Sequence, residues 1–192
     1  SVGALVGASY ATGMLDKLEE RVSSLTKLEF ARFFELDLSL KGFIDTEVLH
    51  GFLAGHVCGE DDRIENLAKV YAAVSTDLET GREIWFTRGS IMEAVRAAIS
   101  LPGLFPPFLH EGKWLVDGGL VNPVPVSLCR SLGADIVIAV NLNGDILAKH
   151  SKQKDEPADS ESIIDRFART LRSYSPAIFS GAKPENTPPA MM

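Results

Sequence analysis

The chain has 192 residues, 45% of them hydrophobic and 23% charged, with a formal net charge of −7. That length suffices for one domain with a substantial core, the acidity argues against a general nucleic-acid binder, and no apolar run is long enough to cross a bilayer as a helix. Two cysteines, Cys58 and Cys129, with no C-x-x-C and no histidine at metal spacing, read as reduced thiols of a cytosolic-type protein.

Residues 3–22 predict a helix. Gly3, Gly7 and Ala11 recur every four residues with Ala4 and Ala8 beside them, a small-residue face suited to close approach to a sheet. Glycine inside a helix costs about 1 kcal/mol, so the pattern calls for a packing or functional reason. Residues 14–22 are amphipathic in the ordinary way. Residues 23–45 mix Phe30, Phe33, Phe34 and Phe43 with polar breaks and carry no readable function. Glu47 to Ala54 predicts a short helix and Gly59 to Arg63 a polar loop.

Lys69 to Thr76 predicts a buried strand, Asp77 to Gly81 a turn and Glu83 to Thr87 a second strand, together a hairpin. Ser90, with Glu93 three residues on, marks a helix start through a capping box. Leu101 to Phe108 is an apolar, proline-rich loop, and Leu109 to Val116 a short hairpin around Glu111-Gly112. Pro123 to Leu132 predicts a helix closed by Gly133. Asn122 is expected to cap it. Asp135 to Leu142, DIVIAVNL, reads as a continuous apolar strand of a parallel sheet. Residues 143–161 read as a mobile polar loop, Ser162 to Tyr174 as a helix, and the proline-rich remainder as an unfinished segment. No internal repeats occur.

Two segments point to chemistry. In Trp114-Leu115-Val116-Asp117-Gly118-Gly119 an apolar strand ends on a carboxylate followed by two glycines. Open α/β sheets place their reacting groups at the carboxyl ends of strands. Asp-Gly alone is more often a turn; the flanking strand and the Asn122-Pro123 helix start favour a reacting role. At the other end, Ser1-Val2-Gly3 leads straight into the small-residue helix. It reads as the second half of a G-x-S-x-G elbow, in which a strand-to-helix turn exposes a serine hydroxyl. The helix N-terminus behind it offers N–H groups to an oxyanion, Val2 foremost with Gly3 beside it. The four histidines, His50, His56, His110 and His150, read as surface residues rather than bases. A nucleotide-binding reading rests only on Gly3 and Gly7 and lacks G-x-G-x-x-G after a strand.

The order of the Ser1 to Ala8 segment, then Ser100-Leu101-Pro102-Gly103-Leu104-Phe105, then Asp117-Gly118-Gly119 with Asn122-Pro123-Val124, resembles the bacterial branch of the patatin-like phospholipases over roughly residues 1–145. The resemblance implies an α/β fold, a three-layer α/β/α sandwich on a mostly parallel sheet. It implies a serine acyl-ester hydrolase acting on phospholipid, lysophospholipid or other acyl esters. Ser1 would be the nucleophile and Asp117 its base, through an acyl-serine, with no metal or organic cofactor and no calcium. Pro102, Leu104 and Phe105 are candidate pocket residues. The implied setting is cytoplasmic, with peripheral membrane contact. The family's first strand and its G-G-G-x-[RK]-G oxyanion loop do not occur here, so the chain is expected to be a single-domain fragment, incomplete at both ends and inactive alone. A non-catalytic regulatory or interaction module on the same fold is the competing expectation.

Overall fold

The computed structural model describes residues 1–26 and 46–142. The expected loop over 143–161, the helix over 162–174, the proline-rich end and most of the aromatic segment over 23–45 lie outside the described residues.

The predicted first helix is two helices, α1 (Val2–Thr12) and α2 (Leu15–Ser24). Gly13 takes φ 78° and ends α1, its N–H donating back to the carbonyls of Ser9 and Tyr10. This left-handed cap is the ordinary way for a glycine to stop a helix. Helix α3 (Thr46–His56) follows, two residues longer at its C-terminal end than the sequence suggests. Thr12 Oγ1 donates to the Val57 carbonyl at 2.7 Å and Ser9 Oγ to that of His56 at 3.4 Å, tying α1 to the end of α3.

The sheet has four strands: β1 (Ala73–Asp77), β2 (Glu83–Phe86), β3 (Phe108–His110) and β4 (Lys113–Asp117), in the order β2-β1-β4-β3. Both expected hairpins are present. In the first, Asp77 Oδ1 accepts from the N–H groups of Glu79 and Thr80, a side-chain-stabilised turn. In the second, Glu111 at φ 48° and Gly112 at φ 78° form the two-residue turn whose twist suits a hairpin.

All three pairings are antiparallel. This corrects the expected parallel sheet for the described strands. A connection of a few residues can join only antiparallel neighbours, and the two hairpins then meet through β1 and β4. Asp135 to Leu142, expected as a parallel strand, pairs with none of the described strands; Ile136, Ile138, Val140 and Leu142 are 75–88% exposed. Its apolar run specifies burial, but a strand forms only where a neighbour supplies the ladder.

Helix α4 (Ile91–Ile99) begins as expected at Ser90, whose hydroxyl accepts from the Glu93 N–H at 3.3 Å. It lies on β1 and β4 and packs on α1. Seven of its nine residues are buried, so it is the central apolar element of the core together with Leu53, Val57, Phe86 and Leu115. The small face of α1 therefore meets a helix and the ring of Tyr71 rather than the sheet. Tyr71 donates to the Ala4 carbonyl at 3.0 Å, and its ring lies beside Gly7. Gly3 is exposed at the helix start and has no part in that packing.

Helix α5 (Val126–Ser131) starts after Pro125, without a side-chain cap. Asn122 does not cap it. Its amide donates to Glu83 Oε2 at 2.9 Å and so fastens the loop to β2. The prolines at 123 and 125 delay the helix start.

Candidate active site

The site is assembled where three element ends converge: the start of α1, the end of α4 and the end of β4. Ser1 is the N-cap of α1, its hydroxyl accepting from the Gly3 N–H at 3.3 Å. Its amino group donates to the Ala98 carbonyl near the end of α4 and lies 2.7 Å from Asp117 Oδ2. Burial pulls the Ser1 ammonium below its ordinary pKa of 8.0, and the facing Asp117 carboxylate opposes that shift.

Asp117 is bracketed on every side. Its N–H donates to the Ser100 carbonyl at 3.0 Å. Its own carbonyl accepts from Thr76 Oγ1 at 2.9 Å. Its carboxylate Oδ1 accepts from the Gly119 N–H at 2.6 Å, opening the short 3-10 turn Gly118–Leu120. The side chain is 13% exposed. A carboxylate so held has one oxygen on the turn and the other beside Ser1.

The two glycines have separate reasons. A Cβ on Gly118 would overlap the carbonyl of Val74, so the turn lies directly against β1. A Cβ on Gly119 would stand 2.9 Å from Asp117 Oδ1, crowding the carboxylate itself. The sequence suggests room around the aspartate; the structure divides that role between backbone packing and carboxylate seating.

Val2 occupies the first helical position, where an N–H has no carbonyl of its own helix to bond. Gly3, the other elbow residue, already spends its N–H on the Ser1 hydroxyl. Of the candidate pocket residues, Phe105 lines a shallow pocket with Leu49, Arg96, Ser100, Pro107 and Phe108. Pro102 is buried and Leu104 half-buried outside it. The pocket adjoins the site through Ser100, whose carbonyl holds the Asp117 N–H. Arg96, its guanidinium 5.0 Å over the Phe108 ring, was missed by sequence reading. An arginine on a helix face gives no sign of lining a pocket.

The described histidines are engaged elsewhere. His50 faces Glu60 at 3.5 Å, His56 Nδ1 lies 3.0 Å from the Phe52 carbonyl, and His110 faces Glu93 at 3.4 Å. Among the described residues no cluster of three or more His, Cys, Asp or Glu side chains could hold a metal. No described helix is long and apolar enough to cross a membrane. Cys58 and Cys129 are free thiols.

Comparison with known proteins bears on this geometry. The family model for patatin-like phospholipases matches residues 1–130. An uncharacterised NTE family protein of Mycobacterium tuberculosis is 37% identical over 147 residues, covering 75% of this chain and 39% of that protein. The patatin-like phospholipase domain-containing protein 7 of Mus musculus is 32% identical over 153 residues, 74% of this chain and 11% of its own length. A lysophospholipase of Emericella nidulans is 29% identical over 151 residues, 74% of this chain and 9% of that protein. The chain thus spans well under half the length of these curated relatives. With the family model covering more than half of the chain, and both Ser1 and Asp117 inside the matched stretch, the chain belongs to the patatin-like phospholipase family.

Proposed function

We propose that this chain carries the serine–aspartate core of a lipid acyl-ester hydrolase, acting on phospholipid, lysophospholipid or a related ester. The observation that supports this reading most is the contact of the Ser1 amino nitrogen with Asp117 Oδ2 at 2.7 Å, which sets two residues far apart in sequence side by side at the start of a helix and the end of a strand. In this reading the Ser1 hydroxyl attacks the ester carbonyl and its proton passes to Asp117 Oδ2. The proton then goes to the departing alcohol as the acyl-serine forms. Water releases the acyl group by the same route, with Asp117 taking its proton.

A carboxylate is a weak base for an alcohol, since its reference pKa is near 3.9. The barrier must therefore be lowered mainly by position and by stabilising the oxyanion. The Gly119 N–H and the Ser100 carbonyl supply position, because they fix Asp117 at both its side chain and its backbone. The N-terminus of α1 supplies the first oxyanion donor, the Val2 N–H, with the helix dipole behind it. The shallow pocket beside Ser100, with Phe105 and Phe108 in its wall, is suited to part of an acyl chain.

A fluorophosphonate probe tests the assignment on the full-length protein. Ser1 becomes labelled, Ser1→Ala abolishes labelling, and Asp117→Asn slows it by about 100-fold or more. An unlabelled wild type favours the non-catalytic module instead.

A further inference from the structure

Among the described residues, the Ser75 hydroxyl is the buried side-chain oxygen with no hydrogen-bond partner. The residue is fully buried at the centre of β1. A buried hydroxyl without a partner is costly, and native structures keep few of them.

The register shows what this hydroxyl stands beside. Ser75 pairs with Ile84 on β2 and with Asp117 on β4. In an antiparallel pair, directly opposite residues project from the same face. The N–H of Leu78 donates to the Trp114 carbonyl at 2.8 Å, which makes that couple a hydrogen-bonded one. Counting back along the ladder, Thr76 with Val116 is the next hydrogen-bonded couple. Ser75 with Asp117 is then a non-hydrogen-bonded couple, the kind whose side chains stand closest. The Asp117 N–H agrees, since it turns away from β1 to the Ser100 carbonyl.

The other neighbours on that face offer Ser75 little. Ala73 and Ile84 are apolar and belong to the core or pack on it. Asp77 lies two residues along the strand, but its Oδ1 is taken by the N–H groups of Glu79 and Thr80. Its Oδ2 faces Lys113 at 4.0 Å. Asp117 has spare capacity: each carboxylate oxygen has two lone pairs, and the described contacts are one N–H on Oδ1 and the Ser1 amino group on Oδ2.

We propose that Ser75 is a positioning residue for the dyad: its hydroxyl, without a partner in the resting fold, turns to donate to the Asp117 carboxylate across the strand pair as a proton moves between Asp117 and Ser1. This rests on the serine–aspartate reading above. Ser75 touches no substrate in this scheme; it acts through Asp117. Gly119 holds the carboxylate from the turn at rest, and in this scheme Ser75 adds a second hold from the neighbouring strand only during the reaction.

The test is Ser75→Ala in the full-length protein, with thermal unfolding, steady-state hydrolysis of a p-nitrophenyl ester and the rate of fluorophosphonate labelling. Alanine removes the unpaired hydroxyl without adding volume, so Tm stays the same or rises. The proposal expects kcat and the labelling rate to fall together by about tenfold, with KM unchanged, the mark of an interaction made only in the transition state. Unchanged kcat overturns it, and so does a fall in kcat that follows a fall in Tm. Ser1→Ala and Asp117→Asn are run beside it. If both are silent while Ser75→Ala keeps full rate, the dyad stands and the role of Ser75 falls. If Ser1→Ala keeps turning over ester, the dyad reading itself falls and this proposal with it.

Discussion

The carbonyl oxygen of Val74 occupies the space that a Cβ on Gly118 would need. The turn after Asp117 is thus pressed onto the backbone of the neighbouring strand, with no side chain between them. Gly118→Ala must push apart two backbone segments and is expected to destabilise the fold by about 3 kcal/mol or more. Gly119→Ala meets a movable carboxylate oxygen instead, at 2.9 Å. It should cost only about 1 kcal/mol in stability yet lower ester turnover by roughly 10- to 100-fold, because the carboxylate is displaced. Urea unfolding and steady-state kinetics on the two variants separate these outcomes. Equal loss of stability in both contradicts the division of roles.

Turnover by the 192 residues alone is the second expectation. They contain no G-G-G-x-[RK]-G stretch to add oxyanion donors to the Val2 N–H. Hydrolysis of p-nitrophenyl butyrate by this chain should be slower by about 100-fold or more than by a form that carries such a loop upstream. Comparable rates from the two forms would show that the N-terminus of α1 suffices.

Acid tolerance should depend on Glu65. The N–H groups of Glu65 itself and of Gly89, with the Arg63 side chain, hold its carboxyl down at about 2, against an ordinary 4.5. A depressed folded-state pKa stabilises the fold above the unfolded value, and the benefit is lost as pH falls through the folded one. The contribution is thus whole above pH 4.5 and gone near pH 2. The residue is exposed, so the effect is small. In Glu65→Gln the stability deficit seen at neutral pH should shrink to nothing as pH approaches 2, measured by urea midpoints across that window. A deficit independent of pH would mean that the link to Gly89 is not ionic in character.

Gly7 offers a stabilising change. A Cβ there would stand 3.5 Å from the Tyr71 ring, an ordinary contact. Gly7→Ala should raise stability by about 0.5–1 kcal/mol by removing the entropic cost of glycine inside α1. A lowered Tm would show that Tyr71 is held too tightly to accept a methyl group.

What was legible in the sequence divides along the line between local and distant causes. The Asp77 turn, the Glu111-Gly112 turn and the Ser90 cap are set by residues within a few positions of each other, and all three were readable. Gly13 was a local signal passed over: a glycine after Thr12, splitting one expected helix in two. The meeting of β1 with β4 depends on residues some forty positions apart (Thr76 bonds Asp117 across that gap), and no local pattern encodes it. The same holds at the site. Ser1 and Asp117 stand out in the sequence because each sits in a short motif, and the roles given to them above are proposals. Ser75 looks like any strand serine in the sequence, because the role proposed for it is argued from the register alone.

The exposed row from Ile136 to Leu142 bears on how this chain behaves in a tube rather than in a reaction. Four large apolar side chains at alternate positions, 75–88% exposed, are a surface that identical molecules can recognise in one another. Crowded preparations should self-associate through it, at a rate that climbs with protein concentration and drops when Ile138 is replaced by lysine. Ile138 is in none of the contacts that hold Ser1 and Asp117 together, so the change alters colloidal behaviour and leaves that arrangement in place.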